Sequence, residues 1–556
     1  MPARCSCSGR VLWLGAYRDN EVSGTHPLTL TINAIREAGT TPLNVLSVSP
    51  LALGDVEDLL SDMLHAPKEE VSPLAALIAK QTGANPFFLG QMIENVGRKE
   101  LITLDHRERR WTWDLEEIER VEISDNVVEL MIQRISALSE ATQRKLQVAS
   151  CIGNQFELGL LAETTSCTPA EAEADLWEAV REGFVVPLSD RYRSAAGLDD
   201  ENTAGIQLRF AHDRVQQSAT AMLPPDERAA TRLRVGRILL ARGNEVAVGP
   251  FEVLGHLYAG RDGISDPTER VSIAELALSA AQRTRTSTAY ETAHHVIDFG
   301  MDLLPENSWD EHYGLTYALH LERLQCEYLV GDFEAADRYF QVIVAQAHSK
   351  PEVSEAYRVR VVLCENLGQY ADGLRFGLEC LQMLGLELSF NVSTEEIQGL
   401  MGELDQALAG RPVASLRDAD EMEDPVAIAR AMMLLTLQAT SYFISPTFSE
   451  SIMIRGALEH LRHGCTPFAS FAYGGLATAL GELGDYTRSY EFGMLAIDIN
   501  DKRYDSAFTR GKTYLQVTQW VRFRHQPLTK NLDQVLDSFR WCVRSGWVSF
   551  RGRRPS

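Results

Sequence analysis

The spacing of apolar residues differs between the beginning and the remainder of this chain. Residues 11–16 and 43–48 are short continuous apolar runs, the pattern of parallel strands that are covered on both faces. From residue 226 onward, apolar residues recur at helical spacing, and short turns separate helices of ordinary length. The pattern therefore predicts a mainly α protein that begins with a partial α/β segment, and two strands are too few to form an independent sheet domain.

Helical spacing also organises the segment between the two patterns. Residues 55–64 place their apolar side chains on one helical face. Ser72-Pro73 predicts the start of a second helix, because a hydroxyl can cap the helix and proline is tolerated at its first position. Pro86 predicts a break followed by a third helix. Together these features predict a helical lid.

A change of pattern after residue 122 predicts a winged helix. Three amphipathic helices are followed by two apolar runs, 184–186 and 206–210, on either side of an acidic loop. That loop would be the wing. Its carboxylates have the wrong sign for contact with DNA, so the predicted winged helix is not interpreted as a DNA-binding element. The acidic residues of the loop include Asp190, Asp199, Asp200 and Glu201.

Three short motifs in the later part predict turns inside helical pairs of the tetratricopeptide type. Each motif lies between two amphipathic helices, where glycine permits the bend and an aromatic ring is expected to wedge between the helices. The first copy also has Ala336 and Phe340 at the expected small and aromatic positions. Two divergent helical pairs are expected between the second and third copies, with a loop at 418–425. The motifs are Gly331-Asp332-Phe333, Gly368-Gln369-Tyr370 and Gly484-Asp485-Tyr486.

These patterns divide the 556 residues into five predicted segments. The beginning inside an apolar strand and the lack of a polar closing helix both suggest a chain that is cut at each end. The segments are the end of a nucleotide-binding α/β subdomain (1–50), a helical lid (51–122), a winged helix (123–225), an array of tetratricopeptide-like repeats (226–545) and a disordered tail (546–556).

Net charge, cysteine content and the lengths of apolar segments restrict what this chain is expected to bind and where it is expected to be located. The net charge of −24 disfavours nucleic acids and anionic membranes, because the chain and the ligand would repel each other. Nine cysteines without regular spacing are typical of reduced thiols in a cytoplasmic protein. No apolar window is long enough to span a bilayer. Cys5 and Cys7 lack a matching pair of ligands, so no metal site is predicted.

The chemistry of phosphate transfer provides the strongest exclusion. Phosphate binding requires a G-x-x-x-x-G-K-[ST] loop, and hydrolysis requires an acidic residue at the end of an apolar strand to hold magnesium. The sequence contains neither feature. Without the lysine and the metal, phosphoryl transfer loses its main charge stabilisation. We therefore predict no catalytic residue and no autonomous ATP hydrolysis.

Five motifs in a fixed order resemble the ATPase module of large multi-sensor signalling proteins of the STAND class, which are signal-transducing proteins related to the AAA ATPases. In that class a kinase-like domain precedes the ATPase, and helical repeats, a GAF sensor and a histidine kinase follow it. The resemblance covers nearly the whole chain and is most specific over 15–220. The motifs are Gly15-Ala16-Tyr17-Arg18-Asp19-Asn20-Glu21-Val22 with His26-Pro27-Leu28, then Thr82-Gly83-Ala84-Asn85-Pro86-Phe87-Phe88, Trp111-Thr112-Trp113-Asp114, Asp125-Asn126-Val127-Val128 and Phe210-Ala211-His212-Asp213-Arg214-Val215-Gln216-Gln217.

The resemblance implies nucleotide-contacting roles for four residues. Arg18 is similar to the sensor arginine that reads the terminal phosphate, and Asn85-Pro86 resemble the turn of the lid near the base. The usual glycine of that turn is Ala84 here, which restricts the turn. His212 resembles the histidine that holds the diphosphate in the closed state. Structural alternatives remain open: Arg18 as part of a solvated ion-pair cluster, Pro86 as a helix start, and His212 as a helix-start residue bonded to the backbone.

Three hypotheses follow. The first is a non-enzymatic regulatory fragment whose repeat array binds a protein or peptide segment on its concave face. ATP or ADP would bind only if the missing phosphate-loop subdomain were present, and the unpaired apolar strands favour self-association. The second is a truncated form of an ATP-dependent serine/threonine and histidine kinase. The third, a DNA-binding regulator, is opposed by the acidic wing.

Overall fold

The computed structural model is mainly α, as predicted, and the described part of the chain contains five short strands. Contacts within the backbone divide the chain into two compact units. One comprises Met1–Gln143 and Ala211–Met222, and the other comprises Arg144–Phe210 and Leu223–Ser556. The described residues are 44–105, 110–119, 127–188, 203–243, 248–286, 290–524 and 528–544, with Gly15, Ile32, Ile35 and Arg36.

The first unit has a small helical core closed by a hairpin. Leu60, Leu74, Ile78 and Leu89 come from three successive helices and are buried together, and Ile118 joins them from a fourth helix. The hairpin strands are antiparallel. The elements are α1 (Leu53–Leu64), α2 (Lys68–Thr82), α3 (Pro86–Arg98), β1 (Ile102–Asp105), β2 (Arg110–Trp113), α4 (Leu115–Glu119), α5 (Val127–Ser136) and, later in the chain, α9 (Asp213–Ala221).

Two local predictions for this unit are wrong. Helix α2 begins at Lys68, and Pro73 lies inside it instead of starting it. Ser72 does not cap the helix, because its hydroxyl donates to Glu57 Oε1 at 2.7 Å. In the predicted strand 43–48, residues 44–48 form no strand, and the side chain of Leu46 is exposed. A strand needs a neighbour for its backbone groups, and the described residues provide none there. The predicted strand 11–16 lies outside the described residues except for Gly15.

The second unit begins with three helices around a small sheet. The strand order is β3-β5-β4, and both pairings are antiparallel. The prediction of three helices and two strands missed β3 and the short α7. The elements are α6 (Glu140–Ile152, which crosses from the first unit), β3 (Gln155–Glu157), α7 (Leu158–Thr165), α8 (Pro169–Arg181), β4 (Val185–Pro187) and β5 (Gln207–Phe210). Most of the acidic loop lies outside the described residues.

The rest of the second unit is an array of helices. Helices α15, α17, α20, α22 and α24 each contact the next in that order, and each also packs against the helix that follows it in the chain. The helices are α10 (Pro225–Arg242), α11 (Pro250–Ala259), α12 (Pro267–Thr286), α13 (Tyr290–Asp302), α14 (Ser308–Glu311), α15 (Tyr313–Val330), α16 (Phe333–Gln346), α17 (Lys350–Leu367), α18 (Tyr370–Met383), α19 (Thr394–Leu408), α20 (Pro425–Tyr442), α21 (Pro446–His463), α22 (Ala469–Glu482), α23 (Tyr486–Asp498), α24 (Ala507–Gln516) and α25 (Leu528–Arg544).

The three predicted turns join helical pairs. Their glycines have left-handed backbones, with φ of 97° at Gly331, 73° at Gly368 and 88° at Gly484. Asp332 then caps α16 by accepting the N–H of Ala335 at 2.9 Å, and the corresponding aspartate caps α23. The turn motif therefore ends one helix with glycine and, in two of three copies, starts the next with aspartate.

Other details of the repeat prediction require correction. Ala336 and Phe340 are buried as expected, but Phe333 is 47% exposed and Tyr486 is 53% exposed, so these two rings do not wedge between helices. Three helices, α19 to α21, lie between the second and third motif-bearing pairs, where four were expected. The array therefore contains an unpaired helix, α19, which packs against α21.

The predicted loop before α20 is held in place by backbone pairing. Cys465 N donates to Asp420 O at 2.7 Å, and Met422 N donates to Cys465 O at 2.8 Å. Gly464 lies beside this pairing with φ of 108°. A Cβ at that position would lie 2.6 Å from the carbonyl oxygen of Asp420. Only glycine fits this contact, because both the backbone conformation and the space exclude a side chain.

The structure also bears on the predicted free thiols and on the prediction that no segment spans a membrane. The six described cysteines whose side chains are placed are free thiols, as the irregular spacing predicted. In the parts of the chain that the structure describes, no helix is both long enough and apolar enough to cross a bilayer.

Gly464→Ala is expected to lower the free energy of unfolding of the array by about 2–4 kcal/mol, because the methyl group would displace the loop backbone. Gly399→Ala, on an open face of α19 with no atom within 4 Å, is the control and should raise stability by up to about 1 kcal/mol. Urea denaturation followed by circular dichroism measures both. Equal effects of the two substitutions would contradict the assigned role of Gly464.

Candidate functional site

The turn between α2 and α3 contains two of the predicted nucleotide-contacting residues. Asn85 N donates to Thr82 O at 3.3 Å, and Asn85 O accepts the N–H of Leu89 at 2.9 Å. Pro86 is the first residue of α3. The structural alternative for Pro86, a helix start, is therefore observed. Asn85 occupies the flanking position, where its carbonyl begins the hydrogen bonding of the helix.

Ala84 takes the conformation that the glycine of the related turn would favour. Its φ is 53°, in the left-handed region, and Gly83 before it has φ of 59°. The carbonyl of Ala84 accepts the N–H of Leu51 at 3.0 Å, which ties the turn to the segment before α1. The left-handed backbone costs an alanine about 1–2 kcal/mol relative to the right-handed one. The left-handed backbone of Ala84 therefore places strain in the turn.

His212 caps the start of α9. Its Nδ1 accepts the N–H of Arg214 at 3.1 Å, and its carbonyl accepts the N–H of Val215 at 2.9 Å. This is the structural alternative that the sequence left open. Because Nδ1 acts as an acceptor, the proton of the neutral ring lies on Nε2. The cap thus fixes a tautomer whose outer nitrogen is a hydrogen-bond donor.

The predicted site residues are only partly placed by the structure. Asn85, Pro86 and His212 belong to the first compact unit. Arg18 lies outside the described residues. The nucleotide-contacting roles of all four residues remain predictions, since the geometry of the three described residues is explained by helix starts.

A second candidate site lies on the face of the array formed by the first helices of successive pairs. Burial raises the pKa of the Glu365 carboxyl on α17, and the positive charge of Lys512 on α24 partly offsets this rise. Lys512 Nζ also lies 5.7 Å from the ring centroid of Phe471 on α22. An acid, a cation and an aromatic ring from three helices therefore share this face, which we call the inner face.

The charges of Glu365 and Lys512 influence each other although helices α20 and α22 lie between α17 and α24 in the stack. Four helices side by side on a flat surface would place the axes of the outer two about 24–30 Å apart. Exposed charges interact appreciably only within about 10 Å. The influence of Lys512 on Glu365 therefore fits a concave face, which stacked helical pairs commonly form.

Small residues on α22 leave room for carboxamide groups from the helices on either side. A Cβ on Gly475 would lie 2.8 Å from Nε2 of Gln438, and a Cβ on Gly474 would lie 2.8 Å from Oε1 of Gln516. Gln438 is buried, and neither of its amide atoms has a hydrogen-bond partner in the described structure. A buried amide without partners is costly and is commonly satisfied by water or a ligand.

Sequence reasoning missed every residue of the inner face. Glu365 and Lys512 are far apart in the chain, and neither belongs to a motif. The pair Gly474-Gly475 inside a helical pattern was an available signal, because adjacent glycines in a helix interior are unfavourable without a packing reason.

Comparison with known proteins relates the chain to signalling proteins. A hybrid signal transduction histidine kinase G from Dictyostelium discoideum is 22% identical over 96% of this chain, which spans 17% of the length of that protein. A STAND protein with a tetratricopeptide repeat sensor from Pyrococcus horikoshii is 12% identical, with 90% of this chain and 74% of that chain covered. Its TM-score of 0.28 is too low to support a structural argument. The chain matches no protein-family model.

His212→Ala is expected to increase amide hydrogen exchange in α9 about fivefold, since loss of a helix cap costs about 1 kcal/mol. His212→Asn should exchange nearly as slowly as the native chain, because asparagine is also a good cap. Hydrogen exchange with mass spectrometry of residues 213–221 measures both variants. If the asparagine variant exchanged as fast as the alanine variant, the cap would not be the stabilising role of His212.

Proposed function

We propose that this chain is the regulatory and partner-binding part of a STAND-class signalling protein, and that it does not hydrolyse ATP by itself. The observation that carries the proposal is the inner face, where Lys512 lies near the ring of Phe471 and its charge acts on the carboxyl of Glu365. Support also comes from the relative over 96% of the chain, whose name is that of a signal transduction histidine kinase. A cytoplasmic location agrees with this role.

The partner in this proposal is an extended segment of a protein. Stacked helical pairs form a long concave surface that suits a peptide, and the inner face offers both charges as well as a ring. The net charge of −24 argues against nucleic acid or an anionic membrane as the partner.

Nucleotide binding in this proposal depends on a phosphate-loop subdomain that the 556 residues do not encode. With that subdomain present, Arg18, Asn85, Pro86 and His212 would face ATP or ADP. Because Nδ1 of His212 caps α9, a contact of its ring with a phosphate would have to be made through Nε2. In its absence no cofactor is proposed.

The alternative function is that of an enzyme. The chain would then be a piece of an ATP-dependent serine/threonine and histidine kinase, and the small share of the relative that it spans favours this alternative. Sequencing the transcript upstream and downstream of the region that encodes this chain distinguishes the regulatory function from the enzyme. A phosphate loop upstream with a kinase core downstream would support the enzyme, and stop codons with no such sequences would support the regulatory chain.

The purified chain is expected to release phosphate from ATP at the background rate, because no lysine and metal stabilise the transferring phosphate. Calorimetry should show weak binding of ATP or ADP, or none. Turnover well above background would refute this prediction. Micromolar ATP affinity that Arg18→Ala abolishes would likewise refute it.

Peptides selected by the full chain from a displayed random library are expected to bind on the inner face. Lys512→Glu should weaken the selected peptides about tenfold or more, since it replaces the cation of the site with a like charge beside Glu365. Lys350→Glu, at the exposed first turn of α17, is the matched control and should bind as the native chain does. Fluorescence anisotropy measures the affinities. Selected peptides that bind both variants equally well would place the partner site elsewhere.

A further inference from the structure

Helix α13 carries a cluster of potential metal ligands that the proposed function does not use. His294 and His295 are adjacent, and Asp298 follows one turn later on the same helix. One ligand atom from each of the three lies within 4.8 Å of the others. This is the one such cluster that the described residues contain.

The spacing of His294 and Asp298 already suits a metal ion. His294 Nδ1 lies 3.4 Å from Asp298 Oδ2. Two ligand atoms bound tetrahedrally to zinc at about 2.1 Å are about 3.4 Å apart. His295 is exposed, so its ring can turn toward the same point without displacing packed side chains. The cluster therefore needs only a side-chain rotation to provide three ligands.

A buried carboxylate on the neighbouring helix lies beside the ring of His294. Glu327 on α15 is 3% exposed, and its Oε1 lies 3.4 Å from His294 Nε2. Histidines that bind metal commonly direct their second nitrogen toward a carboxylate, which fixes the tautomer and raises the basicity of the ligand nitrogen. With Nε2–H facing Glu327, the lone pair of Nδ1 faces Asp298 and the ion.

Arg323 on α15 holds the two carboxylates in place without blocking the ligand oxygen. Its guanidinium contacts Oδ1 of Asp298, which leaves Oδ2 toward His294. It also donates to Glu327 Oε1 at 2.7 Å. Two carboxylates and one guanidinium together contribute a net negative charge beside the two histidines. That excess favours a cation, although the guanidinium reduces the affinity by repulsion.

A similar group on α21 shows what an ordinary ion-pair cluster looks like here. His463 Nε2 lies 3.9 Å from Glu459 Oε2, which also pairs with Arg430 of the preceding helix at 3.0 Å. That group also pairs a histidine with a carboxylate four residues away and an arginine of the preceding helix, but the carboxylate is a glutamate that comes first in the chain. It does not satisfy the three-ligand geometry found on α13, because its second histidine, His460, is buried with both ring nitrogens bonded to Gly456 and Thr466.

We propose that His294, His295 and Asp298 bind a divalent transition-metal ion of the zinc type, with water completing the coordination. Imidazole and carboxylate ligands suit zinc and its neighbours. Three ligands, one of them exposed, give an affinity on the order of micromolar, weaker than that of a closed four-ligand site. The ion fixes the ring that links α13 to Glu327 on α15 and so stabilises this part of the array.

The test uses the full chain after removal of metals with a chelator, and titrates Zn²⁺ by calorimetry and Co²⁺ by visible absorption. Each of His294→Ala and Asp298→Asn is expected to lose one metal equivalent relative to the native chain. His463→Ala, the matched control, should lose none. The Co²⁺ absorption bands that are lost in the site variants should not include thiolate-to-metal charge-transfer bands. Their absence would show that cysteine is not a ligand of this site.

A second measurement distinguishes loss of the metal site from a folding defect in the variants. Zn²⁺ should raise the midpoint of thermal unfolding of the native chain and of the control, and should raise it less in both site variants. Without metal, the circular dichroism spectra of the site variants should match that of the native chain. The proposal is overturned if the site variants bind as much metal as the native chain, or if the control loses an equivalent as well.

Discussion

The packing of each helical pair against the next is the constraint on which the array depends. A single pair leaves one apolar face uncovered, so stability comes from the interfaces between pairs. One buried cluster joins Leu324, Phe340 and Ala356 from three consecutive helices, and another joins Val361, Leu434 and Phe448 across two pairs. Because these interfaces fix the rotation between pairs, they also determine how closely side chains on the inner face approach.

Local chemistry allowed much of the helical fold to be predicted from the sequence. Glycine ends helices at Gly331 and Gly484 because it alone adopts the left-handed backbone cheaply, and this signal is independent of the rest of the fold. The start of α8 depends on contacts of the same local kind, since Thr168 and Glu171 on either side of Pro169 form a reciprocal cap. Such signals involve residues only a few positions apart, so neighbouring residues determine whether the cap or the turn forms.

Predictions failed where distant contacts outweigh local preference. Pro73 is tolerated inside α2, because the helix begins earlier and Ser72 bonds to Glu57 on another helix. In the candidate nucleotide site, the sequence identified His212 and named its cap as one alternative, but geometry was needed to decide. The inner face was not predictable, because the approach of Lys512 to Glu365 results from the summed rotation of several pairs and from no single motif.

The influence of Lys512 on Glu365 across the inner face has a consequence for what could bind there. On a concave surface of stacked helical pairs, an extended chain would reach these two residues more readily than a folded domain would. Recognition would therefore require the incoming polypeptide to present a tail or to release one from its own fold. The response would then begin only when such a tail is exposed. Its timing would depend on unfolding of the binding partner as well as on this chain.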